Sequence, residues 1–227
     1  RRLGELAEAG ITSFKIEGRL KNESYVRNVV RDYSLALDEI VSRRPSDYER
    51  GSFGSVSGGF TPDTSKTFNR GYTELFIDGR RGRWASMDAA KSMGEEIGSI
   101  ASLNRDKSEI GLKFTGKDIV LNNGDGFSFV TKDGKVAGFR GDVCQGKTIR
   151  CKSTPTLFIG ARIYRNINAA FEKEIERKNC TREIRVKAVI SFTMQEDGWK
   201  GTASASSEDG RTVSITFDAG CQTAENY

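Results

Sequence analysis

Along the first 45 residues the apolar positions change their period twice, and each stretch predicts a different element. Leu3, Leu6 and Ala7 recur at helical spacing, and Gly10 stands where a left-handed C-cap would end that turn. In the next stretch, "ITSFKIEG", the pattern alternates. Phe14 and Ile16 fall on one face and Ser13, Lys15 and Glu17 on the other, which predicts a strand over 11–17. The period then lengthens again: Val26, Val29, Val30, Tyr33, Leu37, Ile40 and Val41 mark one face of a long helix. Asn22 can cap its start, Arg43 and Arg44 suit its C-terminal dipole, and Pro45 stops it. Helix, strand, helix is one unit of an α/β fold, and a single unit cannot cover a parallel strand on both sides. Residues 1–45 therefore read as the tail of a barrel or doubly wound sheet within a longer protein.

Beyond Pro45 the patterning is lost and then returns with period two. Residues 46–91 are rich in Gly, Ser and Thr, yet Phe53, Phe60, Phe68 and Tyr72 argue for a linker docked on a neighbouring surface. From about 92, "EEIGSIASL", "EIGLKF", "GFSFVT", "VAGFRGDV", "KTIRCKS" and "ARIYRN" read as short strands. Asn123–Gly126 and Asp133–Gly134 supply the turns. Evenly spaced strands with no helix between them predict a small closed β-barrel over 92–166, like those common in translation factors. Residues 167–227 open with a short helix carrying Ile167, Phe171 and Ile175 four apart. They continue as a three-stranded meander, part of a further β-rich domain. The expected class is α+β, mainly β.

Composition narrows the chemistry. Of 227 residues, 36 are basic and 31 acidic, a net +5 spread widely enough to read as ordinary surface. No apolar run is long enough to span a bilayer and no signal-peptide pattern opens the chain, so no membrane partner and a cytoplasmic location are expected. Histidine is absent, which excludes a Ser-His-Asp or Cys-His system and a His-based zinc site within this sequence. The four cysteines, Cys144, Cys151, Cys180 and Cys221, form no C-x-x-C pair and fit neither a zinc ribbon nor a ferredoxin-type loop. Cys144 and Cys151 could be neighbours across a hairpin; the expectation is free thiols used as small apolar residues, with no metal site.

The segment "GITSFKIEGRLKNESYVRNVVRDYSLALD" closely resembles the end of the barrel domain in peptidase family U32, and "FNRGYTELFI" resembles a second segment of that family. "NNGDGFSF", "GFRGDV" and "GARIYRNINAAFEKEI" are similar to the β-barrel and its exit in the long, collagenase-like subgroup, which carries an extra C-terminal domain. The resemblance implies a C-terminal fragment of a collagenase-like peptidase, inactive alone and serving substrate recruitment. The alternative is a part of an iron–sulfur-dependent RNA hydroxylase of the kind that forms 5-hydroxycytidine in ribosomal RNA. A non-catalytic RNA- or protein-binding module is the third reading. In hydroxylating relatives, barrel cysteines preceding the KIEGR segment hold an iron–sulfur cluster; none of the four cysteines here matches a cluster position. The implied partners are the rest of the barrel and either ribosomal RNA or a protein substrate.

Within that frame, Glu17, Gly18 and Arg19 would stand at the C-terminal end of a barrel strand, the face where such barrels place their chemistry. Lys15, Glu17 and Arg19 are pocket-wall candidates, or else an ion-pair network closing the rim. Lys15 and Glu17 would form a partly buried pair, each favouring the other's charged form. Arg19 and Lys21 offer donors for phosphate or carboxylate. Arg70, between Phe68 and Tyr72, could stack on exposed bases, or the loop could pin one barrel to another. Lys147, Arg150, Lys152, Arg162 and Arg165 form a charge run, either a solvated face or a binding stripe. Lys21, Arg70, Tyr72 and Arg165 are the substrate-binding candidates.

Overall fold

Residues 2–19, 21–69, 71, 72, 77, 79, 92–152 and 156–220 are described by the computed structural model of the chain. They fall into two units, one of Arg1–Arg43 with Phe60–Asn179 and one of Arg44–Gly59 with Cys180–Tyr227. The class is α+β, mainly β.

In the first unit, helix α1 (Leu3–Glu8) is followed by residues 11–17 in extended conformation. This stretch keeps the expected alternation, with Phe14 and Ile16 less exposed than their neighbours, and Phe14 meets Tyr33 edge-on at 6.0 Å. It has no strand partner among the described residues, so the stretch expected as a strand is extended chain outside any sheet. Helix α2 (Glu23–Arg43) begins where Asn22 Oδ1 accepts the Tyr25 N–H at 3.1 Å and ends two residues before Pro45, with Arg43 paired to Glu39. Its expected apolar face is not its buried one. None of the seven predicted positions is buried, and Val26 and Val30 are exposed; the deepest residues are Ser24 and Asn28. Polar contacts decide this. The Asn28 amide donates to the Asp63 carbonyl at 2.8 Å and to Thr67 Oγ1 at 2.9 Å, and its oxygen accepts the Asp63 N–H at 3.0 Å.

The linker splits between the units. Its early strand β1 (Ser55–Gly58) belongs to the second, whereas Phe60 belongs to the first. Phe60 is buried and docks edge-on against Phe171 at 5.9 Å. Seven strands follow: β2 (Glu95–Asn104), β3 (Glu109–Phe114), β4 (Gly126–Val130), β5 (Val136–Arg140), β6 (Val143–Gln145), β7 (Thr148–Arg150) and β8 (Arg162–Ile167). All pairings are antiparallel, in the order β5-β4-β8-β2-β3-β7-β6. The sheet is a curled half-barrel rather than the closed barrel expected. Its edge strands β5 and β6 are consecutive in the chain, so the link between them is covalent. Gly141, at that link, bonds to Gly124 and Asp125 instead of extending a ladder. A Cβ there would lie 2.6 Å from Cys144 Sγ and 2.9 Å from the Phe127 ring, so only glycine fits this crossing.

The concave side is filled by Ile97, Ile100, Ile110, Leu112, Phe127, Phe129, Ile149 and Ile163, all at most 3% exposed. Helix α3 (Ala169–Arg177) is capped by Asn168, whose side chain accepts the Phe171 N–H. Phe171 and Ile175 are buried with Phe60; Ile167, expected on the same stripe, ends β8 and is exposed.

In the second unit β1 pairs antiparallel with β9 (Cys180–Glu183). Strands β10 (Val186–Gln195), β11 (Gly198–Ser207) and β12 (Thr212–Ala219) form the predicted three-stranded antiparallel meander. Gly210, at a φ of 78°, sits in the turn between the last two. No described helix is long and apolar enough to cross a membrane.

Candidate functional site

The charged knot after residue 16 opens onto solvent. Lys15 Nζ and Glu17 Oε1 do pair, at 2.8 Å, but with side chains 85% and 71% exposed. The pair expected to be partly buried is thus a surface one, which solvent screening makes worth little. Arg19 is exposed as well. Gly18 serves the backbone turn. A Cβ there would stand 2.9 Å from a Val26 methyl, and its carbonyl accepts the Lys21 N–H at 3.0 Å. The tight turn it permits brings Lys21 back toward the start of α2.

There Lys21 meets the second recognisable segment. Its Nζ lies 3.3 Å from the centroid of the Phe68 ring, and Phe68 packs edge-on against Tyr25 at 6.1 Å. Lys21 and Phe68 border a cleft of ≈ 290 Å³, completed by Asn22, Ser92, Glu172 and the end of β8 at Asn166 and Ile167. Each wall is held in place. Ser92 donates to the Asn69 carbonyl at 3.1 Å and accepts the Asn69 N–H at 3.3 Å. Glu172 accepts a hydrogen bond from the buried Ser24 hydroxyl, tying α2 to α3. The cleft therefore offers a cation on an aromatic face, two side-chain amides and one carboxylate. That set suits recognition of a polar, flat or anionic ligand. It pairs no exposed nucleophile with a base.

The other candidates part company. Tyr72 is exposed, with its hydroxyl 3.3 Å from Thr64 Oγ1; Arg70 lies outside the described residues. Arg165, read as part of a binding stripe, is 5% exposed and faces inward. It donates to the Val120 carbonyl at 2.7 Å and to Glu95 Oε2 at 2.9 Å, and lies 3.5 Å from Asp125 Oδ2. Asp125, with no exposure at all, accepts the backbone N–H groups of Asn122 and Ala169 at 2.9 and 2.8 Å. This buried junction ties β2, β8, the turn before β4 and the start of α3 together, so Arg165 is structural. Alternation in β8 turned it inward while Arg162 stayed outside. Arg150 is exposed and pairs with Glu109 across the β3–β7 ladder.

Cys144, Cys151 and Cys180 are free thiols. Cys144 faces Ile149 across the β6–β7 hairpin, so Cys151 is not its direct neighbour. Burial first, then the Asp125 and Asp142 carboxylates, pushes the Cys144 thiol up to about 11. Burial and Asp142 raise Cys151 as well. Cys180 sits in the other unit, and no three candidate ligands cluster among the described residues. These cysteines do not fit an iron–sulfur cluster; Cys221 lies outside the described residues.

Comparison with known proteins adds what the geometry cannot. Residues 1–86 match the model of peptidase family U32. Over 143 residues, 63% of this chain, the sequence is 37% identical to the 23S rRNA 5-hydroxycytidine C2501 synthase of Escherichia coli (strain K12). The matched region is 21% of that relative, so the chain spans about a fifth of its length. No solved structure matches.

Proposed function

From the match of residues 1–86 to the model of peptidase family U32, we propose that the chain serves RNA modification rather than proteolysis, as part of a protein that hydroxylates cytidine in ribosomal RNA. The observation that carries this reading is the 37% identity to an rRNA 5-hydroxycytidine synthase over most of the chain. The role assigned to this portion is substrate recruitment in the cytoplasm, with the Lys21–Phe68 cleft as the contact. An ammonium over an aromatic ring, flanked by amides, suits an unstacked base and its phosphate. The cluster that the family resemblance implies would draw its thiolates from residues other than the described cysteines.

The test is binding of the whole chain to a labelled ribosomal RNA hairpin, with denatured collagen in parallel, at two salt concentrations. Salt-sensitive RNA binding is expected. Phe68→Leu should weaken it by the equivalent of about 1–3 kcal/mol, and Lys21→Ala should reduce the salt slope by about 1. Binding to collagen with none to RNA would sink the proposal and favour the peptidase reading.

A further inference from the structure

The register of the β10–β12 meander sorts its side chains onto two unlike faces. Ile190, Ala203 and Ile215 stand directly opposite one another across the three strands, as do Phe192, Gly201 and Phe217. Met194 and Trp199 continue that face at one end, and Val186 and Val213 at the other. The opposite face carries Lys187, Ser204, Thr202, Ser214 and Asp218, with Val189 its one large apolar residue. No charged residue lies on the apolar face, and its large side chains remain 37–73% exposed.

Taking roughly 200 Å² of full accessible area for each, a value within the aromatic range, the eight large side chains of this face leave about 900 Å² of apolar surface open at those exposures. A typical monomer's largest patch is about 300–600 Å². Two such faces would together bury about 1,800 Å², inside the range of about 1,200–2,000 Å² for stable interfaces. The relief suits a copy of itself. Ala203 and Ala205 of β11 form a shallow trough between the larger residues of β10 and β12. At its end the trough is closed by Phe217, whose ring lies where a Cβ on Gly201 would be, edge-on to Phe192 at 6.0 Å. A ridge of one sheet can lie in the trough of another, and a two-fold axis makes the contact reciprocal. An uncharged face adds no like-charge repulsion to this pairing.

We propose that this apolar face binds a second copy of the chain, the two meanders packing face to face as a sandwich. The test is sedimentation velocity of the full chain from about 1 to 100 µM, with circular dichroism to confirm that each variant keeps its strands. A species of twice the 25.1 kDa chain mass is expected. Ile190→Lys and Val213→Lys should each weaken it at least about tenfold, Ile190→Thr should weaken it while keeping a β-branched residue, and Ser204→Lys on the polar face should leave it unchanged. A chain that stays monomeric at the highest concentration overturns the proposal, including one that binds an apolar dye or a different protein there. A dimer indifferent to both lysines overturns it too.

Discussion

Replacing Arg165 by methionine keeps the length of the buried stem and deletes the guanidinium, so it isolates the charge. Asp125 would then hold its carboxylate at zero exposure without its Arg165 partner, retaining the N–H groups of Asn122 and Ala169. The Val120 carbonyl and Glu95 would each lose a donor. Removing one member of a buried ion pair costs about 3–5 kcal/mol, and the lost hydrogen bonds are contained in that figure rather than added to it. With a urea dependence of about 1–3 kcal/mol per molar, the midpoint should fall by roughly 1–5 M. Urea unfolding followed by circular dichroism reads the total. Hydrogen exchange at the Phe127 and Phe129 amides of β4 assigns the loss to the curled sheet. Adding Asp125→Asn removes the orphaned charge while sparing the bond to Ala169, and should restore about 1–3 kcal/mol of the loss. A single variant costing under about 1 kcal/mol would refute the reasoning. So would one that loses RNA affinity while keeping its stability, because Arg165 would then be serving a ligand.

Three further outcomes follow from the same packing. Asn28→Ala strands the Asp63 N–H, the Asp63 carbonyl and Thr67 Oγ1, and should cost about 2–4 kcal/mol in thermal or urea unfolding; a cost near zero would mean that water replaces all three bonds. Gly94, at a φ of 80°, would with a Cβ approach the Arg165 carbonyl to 2.1 Å, so Gly94→Ala should destabilise the first unit by more than about 1 kcal/mol. Cys144 is neutral until the pH approaches about 11, against an ordinary 9.0. Alkylation at pH 8 should therefore spare it while labelling the exposed Cys180, and fast labelling of Cys144 there, read by mass spectrometry, would contradict its burial. Since its folded value is the raised one, the associated stability is complete below pH 9 and is lost as pH rises toward 11.

Where backbone pairing is local, the pattern of residues was enough. β3 over Glu109–Phe114 and the β10–β12 meander follow alternation bounded by turn residues, and each has a hairpin partner close in sequence. "VAGFRGDV" is not one strand because the chain changes edges at Gly141, where Cys144 and Phe127 crowd out any side chain, and neither contact has a local signature. The face of α2 failed for a related reason. Periodicity ranks positions by apolarity, but Ser24 and Asn28 are buried through bonds to Glu172 and to the Asp63–Thr67 loop, partners far away in sequence.

The candidate site divides along the same line. Lys21 and Phe68 belong to the two segments whose residues resembled a known family, and the fold brings them into one cleft, although nothing local to either segment announces the other. Asn166 and Glu172 lie in the segment that resembles the barrel exit but were not singled out as candidates; they line the cleft because β8 runs into α3 beside it. The charge run on β7 and β8 shows the opposite error. Counting lysines and arginines in sequence treats a strand as one surface, whereas successive side chains point to opposite faces. Arg162 and Arg165 differ by three positions and so lie on opposite sides, one in solvent and one locked to Glu95 and Asp125. Any electrostatic footprint for RNA on this sheet must therefore be assembled from alternate residues: Arg150 and Lys152 share one side of their strand's course, Arg162 belongs to the exposed face of β8, and Arg165 contributes nothing to either.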